Sequence, residues 1–140
     1  LQYKTSRAII WKMKMTSNDK LREVSDADWE AQLPKPVGYR LLVALPDVED
    51  YFNNTTLLKT DTEKHKEYIT SIMGVVLDMG DGAYKDPDRF PEGPWCKPGD
   101  YVMFRMNTGT RFKVNGKEFR LMNDDSIEAI IPDPTGIMAA

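Results

Sequence analysis

Apolar residues fall in short runs separated by turn chemistry, and only one stretch carries a helical period. Tyr39, Leu41, Val43 and Leu45 alternate with Arg40, Leu42 and Ala44. Both sets are mostly apolar, which predicts a strand covered on both faces. Pro46 stops it. Residues 72–77 return to strand, and Gly80-Asp81-Gly82 marks a turn. Lys97-Pro98-Gly99-Asp100 feeds into Tyr101-Val102-Met103-Phe104. There Pro98 fixes φ, and Gly99 can take the positive φ of a type II turn. Asn107-Thr108-Gly109-Thr110 turns into residues 111–114, and Asn115-Gly116 is a type I′ hairpin signal. Residues 118–122 are its partner strand, with Phe119 and Leu121 on one face. Residues 126–131 form the last long strand, ended by Pro132 and Pro134. Short strands at this spacing predict an all-β fold, one small barrel.

The helical stretch follows Ser25-Asp26-Ala27-Asp28, which reads as an N-cap with an acid at the third helical position. It predicts a short helix near residues 26–33, with Trp29 and Leu33 on one face, docked on the barrel surface. Pro34 and Pro36 end it. Three regions follow: an N-terminal extension over 1–35, the barrel over 36–133 and a tail over 134–140 that frays unless a neighbour binds it. Residues 1–14 carry Lys4, Arg7, Lys12 and Lys14 without an acid. They read as sequence upstream of a natural start at Met15, with a basic interaction tail as the alternative. The stretch 47–70 breaks the strand pattern. Charged and hydroxylated residues dominate it, and its apolar residues are too sparse to offset an ordering cost of about 1–2 kcal/mol per residue. Loops of this length in compact domains are functional or disordered. Leu57-Leu58 is an aliphatic pair among polar neighbours, either a patch packed on the barrel or a docking motif on a mobile arm.

Composition narrows the chemistry. The 140 residues suit one domain with a modest core, and a net charge of −3 argues against a general nucleic-acid binder. Cys96 is the only cysteine, so no intrachain disulfide forms, which fits a reducing cytoplasm. No apolar run reaches membrane-spanning length. Walker, GxSxG and HExxH motifs are missing, and Gly74, Gly80 and Gly82 make no dinucleotide fingerprint. Cys96 and His65 lack the spacing of a zinc site or a nucleophile with an orienting partner. Asp81, Asp86 and Asp88 miss the calcium-loop spacing and read as turn acids. Arg105, Arg111, Lys113, Lys117 and Arg120 surround Phe104, Phe112 and Phe119. On a small barrel this could be a stacking groove for single-stranded nucleic acid. The preferred reading sends the aromatics inward and the charges out. Residues 84–95 are rich in Pro and Gly, an ordered loop pinned by Tyr84, Phe90 and Trp95.

Four segments in this order carry a family resemblance. They are Pro36-Val37-Gly38-Tyr39-Arg40-Leu41-Leu42-Val43, the Gly74-Val75-Val76-Leu77…Gly80-Asp81-Gly82 stretch, Lys97-Pro98-Gly99-Asp100-Tyr101-Val102-Met103-Phe104, and Ile127-Glu128-Ala129-Ile130. Around a long polar loop they resemble the GroES-like co-chaperonins, the lids of chaperonin rings. Residues 90–96 and 111–120 look most like versions encoded by tailed bacteriophages. The resemblance implies a GroES-like β-barrel with a mobile loop at about 47–70. It implies a homo-oligomer, a ring of seven, capping a GroEL-like chaperonin that binds the ATP, with an unfolded client inside. It implies no catalysis, cofactor, metal, membrane or nucleic acid, and a cytoplasmic location, the host's for a phage gene. Thr56, Leu57 and Leu58 occupy the place of the chaperonin-docking motif, with Thr55-Thr56 where relatives carry glycines. Leu41, Val43, Ile130 and Ile131 fall where first and last strands pair between subunits. Tyr84, Phe90 and Trp95 fall where many members place a roof hairpin. The alternative functions are an oligonucleotide-binding barrel and, less well supported, the barrel domain of a dehydrogenase.

Overall fold

A computed structural model of the chain describes residues 7, 8, 10, 25–45, 72–134 and 137. Among these residues six strands form one antiparallel sheet, the small β-barrel predicted by the turn spacing. They are β1 (Arg40–Ala44), β2 (Met73–Met79), β3 (Tyr101–Phe104), β4 (Thr110–Val114), β5 (Lys117–Asn123) and β6 (Ile127–Ile131). Their spatial order is β4-β5-β1-β2-β3-β6. Helix α1 (Asp26–Gln32) precedes them, and a 3-10 turn (Asp124–Ser126) links β5 to β6.

β1 sits between β2 and β5, and both of its faces are covered. Leu41, Val43 and Leu45 pack with Val76, Val102, Phe104, Met122 and Ile127. Leu42 and Ala44 point the other way, to Val75, Leu77, Phe119, Trp29 and Leu33. The register slips between Leu42 and Val43, leaving Leu77 as the extra residue of a bulge in β2. The local signals behave as their chemistry dictates. Gly99 has φ +97°, and Asp100 N donates to the Lys97 carbonyl at 3.1 Å, closing the type II turn. Asn115 and Gly116 both have positive φ, 50° and 78°, as a type I′ turn requires. Ser25 Oγ accepts from Asp28 N at 3.1 Å and caps α1.

Two placements depart from the sequence pattern. Arg7, Ala8 and Ile10 are helical and buried, the latter two in the core that holds Trp29, although no helical period marks them. Arg120 is also inside, 0% exposed, where alternation had been expected to send the charges outward. The reason is β5's position. It is flanked by β4 and β1 and covered on both faces, so neither parity leads to solvent.

Gly38, Gly80 and Gly82 bring two turns together. Gly80 N donates to Arg40 O at 2.8 Å and Gly82 N to Gly38 O at 2.9 Å. A Cβ on Gly80 would strike the Gly38 carbonyl oxygen and lie 2.9 Å from the Val37 carbonyl carbon. Backbone on both sides cannot step aside. Gly80→Ala is therefore expected to cost about 1–3 kcal/mol. Urea unfolding should show this as a lower midpoint at unchanged slope, and an unmoved midpoint would refute the close approach.

Candidate functional site

The long polar segment leaves from β1 and returns into β2, two neighbouring antiparallel strands. Ala44 pairs with Val75, and Leu45 N donates to Glu118 O at 3.1 Å, so the departing end is held. The returning end is held by Met73, which is 0% exposed. Gly74 allows the two ends to approach. A Cβ there would lie 2.5 Å from Val43 Cγ1 and 2.6 Å from the Ala44 carbonyl oxygen. Met73 packs with Ile131, and Tyr101, Met103 and Ile137 pack around that pair. Thus a tail residue, Ile137, rests at the root of the segment. Burial pushes the Tyr101 phenol above its ordinary value, so it is a neutral packing group there. Thr56, Leu57 and Leu58 themselves lie outside the described residues, as does His65.

The opposite end of β2 leads into the loop that carries Tyr84, Phe90 and Trp95. Their rings touch one another. Tyr84 meets Phe90 edge-on at 4.9 Å and Trp95 at 5.7 Å, and Phe90 meets Trp95 edge-on at 5.0 Å. Tyr84 holds a positive φ of 60° because Asp124 grips it twice. Tyr84 N donates to Asp124 Oδ2 at 2.9 Å, and the Tyr84 hydroxyl donates to Asp124 O at 2.7 Å. Burial raises the Tyr84 phenol far above its usual range. Cys96 Sγ lies 3.5 Å from that hydroxyl. Burial pushes its thiol up as well, which keeps it protonated at neutral pH, the opposite of an activated nucleophile. Among the described residues no group of three His, Cys, Asp or Glu is placed to hold a metal ion. No helix among them is long and apolar enough to cross a membrane.

A family model described as the chaperonin 10 kDa subunit matches residues 34–131. The chain belongs to the chaperonin 10 kDa subunit family. It is 35% identical over 97 residues to the co-chaperonin GroES of Corynebacterium diphtheriae, an overlap of 69% of this chain and 92% of that protein. It is 33% identical over 97 residues to the co-chaperonin GroES of Streptomyces albus G, covering 69% and 88%. For the co-chaperonin GroES of Caldicellulosiruptor saccharolyticus the figures are 29% over 99 residues, covering 71% and 97%.

Within this chaperonin-10 barrel the four residues expected at a subunit interface separate. Leu41 and Val43 are 0% exposed, and both edges of β1 are already paired. They are core residues and offer a neighbour no surface. Among the described residues β6 is an edge strand with one side unpaired. On it Ile130 is 41% exposed, whereas Ile131 is buried against Met73. The basic–aromatic cluster does not line up as a stacking groove. Phe112 stacks on Phe119 at 5.8 Å, Arg111 Nη2 donates to both carboxylate oxygens of Glu118 at 2.9 and 3.0 Å, and Arg120 points inward. Asp124, which grips Tyr84, makes a contact that the sequence pattern does not mark. Nothing in the local sequence separates it from Asp125, which instead pairs with Arg89 at the surface.

Proposed function

We propose that this chain is a co-chaperonin, a ring-forming lid that closes an ATP-bound GroEL-like chaperonin over an unfolded client in the cytoplasm. The observation that carries this reading is the fixed root of residues 46–71. A barrel of the chaperonin-10 family holds both ends of a long polar segment side by side, and that segment contains one aliphatic pair, Leu57-Leu58. Such a design suits docking rather than catalysis. The chain needs no cofactor of its own, because the partner binds the nucleotide. Burying one leucine is worth about 1.5–3 kcal/mol, and ordering the arm that carries it returns part of this. One arm is then weak. Several arms on one symmetric ring, seven in this reading, bind through effective concentration and can release together when the partner changes state. The edge of β6 that no described strand pairs, with Ile130 on it, is the surface this reading assigns to ring assembly.

Native mass spectrometry tests the proposal. The chain alone should give a closed oligomer of seven. With a bacterial chaperonin it should give a joint complex in the presence of ATP and none without nucleotide. A persistent monomer that ignores the ATP-loaded chaperonin would overturn the reading.

A further inference from the structure

Upstream of the family match, a cation reaches into the domain from residue 7. Arg7 is 6% exposed. Its Nε donates to Glu30 Oε1 at 2.7 Å, and its Nη1 donates to the Pro34 carbonyl at 2.6 Å. Nη2 donates to the carbonyls of Glu30 at 2.9 Å and Leu33 at 3.0 Å. Asp78 Oδ2 on β2 stands 3.5 Å from Nη1. The Glu30 carboxylate also accepts from Ala8 N at 3.3 Å, tying the backbone beside Arg7 to the same point.

This arrangement answers a specific need of α1. A helix of seven residues is marginal by itself, and the carbonyls of a helix's last turn take donors from beyond it. α1 has acids in its first turn and no basic residue in its last. The positive charge that its C-terminal end favours comes instead from Arg7. Guanidinium suits the task because its donors are spread over three nitrogens in a planar fork, whereas a lysine's donors sit on a single nitrogen. Ala8 and Ile10 then add apolar surface over Leu42, Ala44, Val75, Leu77 and Phe119, the sheet face that α1 covers with Trp29 and Leu33.

We infer that the segment carrying Arg7, Ala8 and Ile10 is a strap built into this domain, with Arg7 as the latch that closes it over α1 and the outer face of β1, β2 and β5. The inference is independent of the co-chaperonin reading. It makes these residues part of the fold rather than an appendage ahead of Met15. A strap also has a defined failure. It detaches while the sheet stands.

Hydrogen exchange read by mass spectrometry on the full chain tests it. In Arg7→Ala, protection of Arg7, Ala8 and Ile10 and of α1 should fall at least tenfold, while β3 and β6 keep theirs. Arg7→Lys should resemble Arg7→Ala more than the parent, since charge alone does not supply the fork. Glu30→Gln, on a half-exposed side chain, should speed exchange at least threefold and only in Arg7, Ala8, Ile10 and α1. Exchange of those residues within twofold of the parent in both Arg7→Ala and Glu30→Gln would overturn the latch. Uniform loss of protection across all six strands would overturn it too, because Arg7 would then be a general core residue.

Discussion

Leu57→Asp combined with Leu58→Asp is expected to abolish capture by an ATP-loaded chaperonin while the ring stays whole. Two leucines leaving an apolar groove forfeit about 3–6 kcal/mol per arm. At about 1.4 kcal/mol per tenfold, even the lower figure weakens one arm about a hundredfold. Two carboxylates facing that groove add a desolvation cost. In the proposed ring the arms act together, so the loss multiplies and no complex should survive size-exclusion chromatography. The barrel should be untouched. Its described core is built from residues outside this segment, and the segment's roots at Leu45 and Met73 keep their partners. Circular dichroism and native mass should therefore match the parent. An undiminished complex would remove the docking role from Leu57 and Leu58. A ring that falls apart would instead place them in assembly.

The features legible in the sequence are those whose causes lie within a few residues. Pro98-Gly99, Asn115-Gly116 and the Ser25 cap work through local φ preferences and short hydrogen bonds, and each takes the predicted form. The double apolar alternation of residues 39–45 was readable because a central strand must bury both faces. Features set by sheet order were hidden. That β5 pairs with β1 makes Leu41 and Val43 core and draws Arg120 inward, yet β5 comes more than seventy residues after β1. Arg7 was hidden for the same reason. Its acceptors lie 23 to 27 positions away, and one basic residue among Lys4, Lys12 and Lys14 reads the same whether it is solvated or latched. The proposed docking residues were readable in another way. Leu57-Leu58 stands out only against its polar surroundings, and its meaning comes from the family that the flanking barrel belongs to.

Arg120→Ala is expected to be the most destabilising single change among the buried positions of the barrel. The side chain is fully enclosed, and its guanidinium lies 4.9 Å from the Phe104 ring centroid. Burial is the main force that lowers its pKa from the ordinary value, so the charge is carried at a cost. What offsets that cost is partly visible in its contacts. Nη1 donates to Met106 O at 3.0 Å and to Thr108 O at 3.2 Å, fastening the turn between β3 and β4 onto β5. Truncation empties a large volume and leaves those two carbonyls without their donor. Together these should cost about 3–5 kcal/mol, a large part of the 5–15 kcal/mol that holds a typical domain. Arg120→Met separates the two contributions. Methionine refills much of the space but donates nothing, so it should recover part of the lost urea midpoint. The amide of Thr108, which donates to Arg105 O at 3.1 Å, should still exchange faster than in the parent. A loss under about 1 kcal/mol for Arg120→Ala would mean that the buried charge costs nearly as much as its contacts return. The residue would then set the position of the turn without stabilising the barrel.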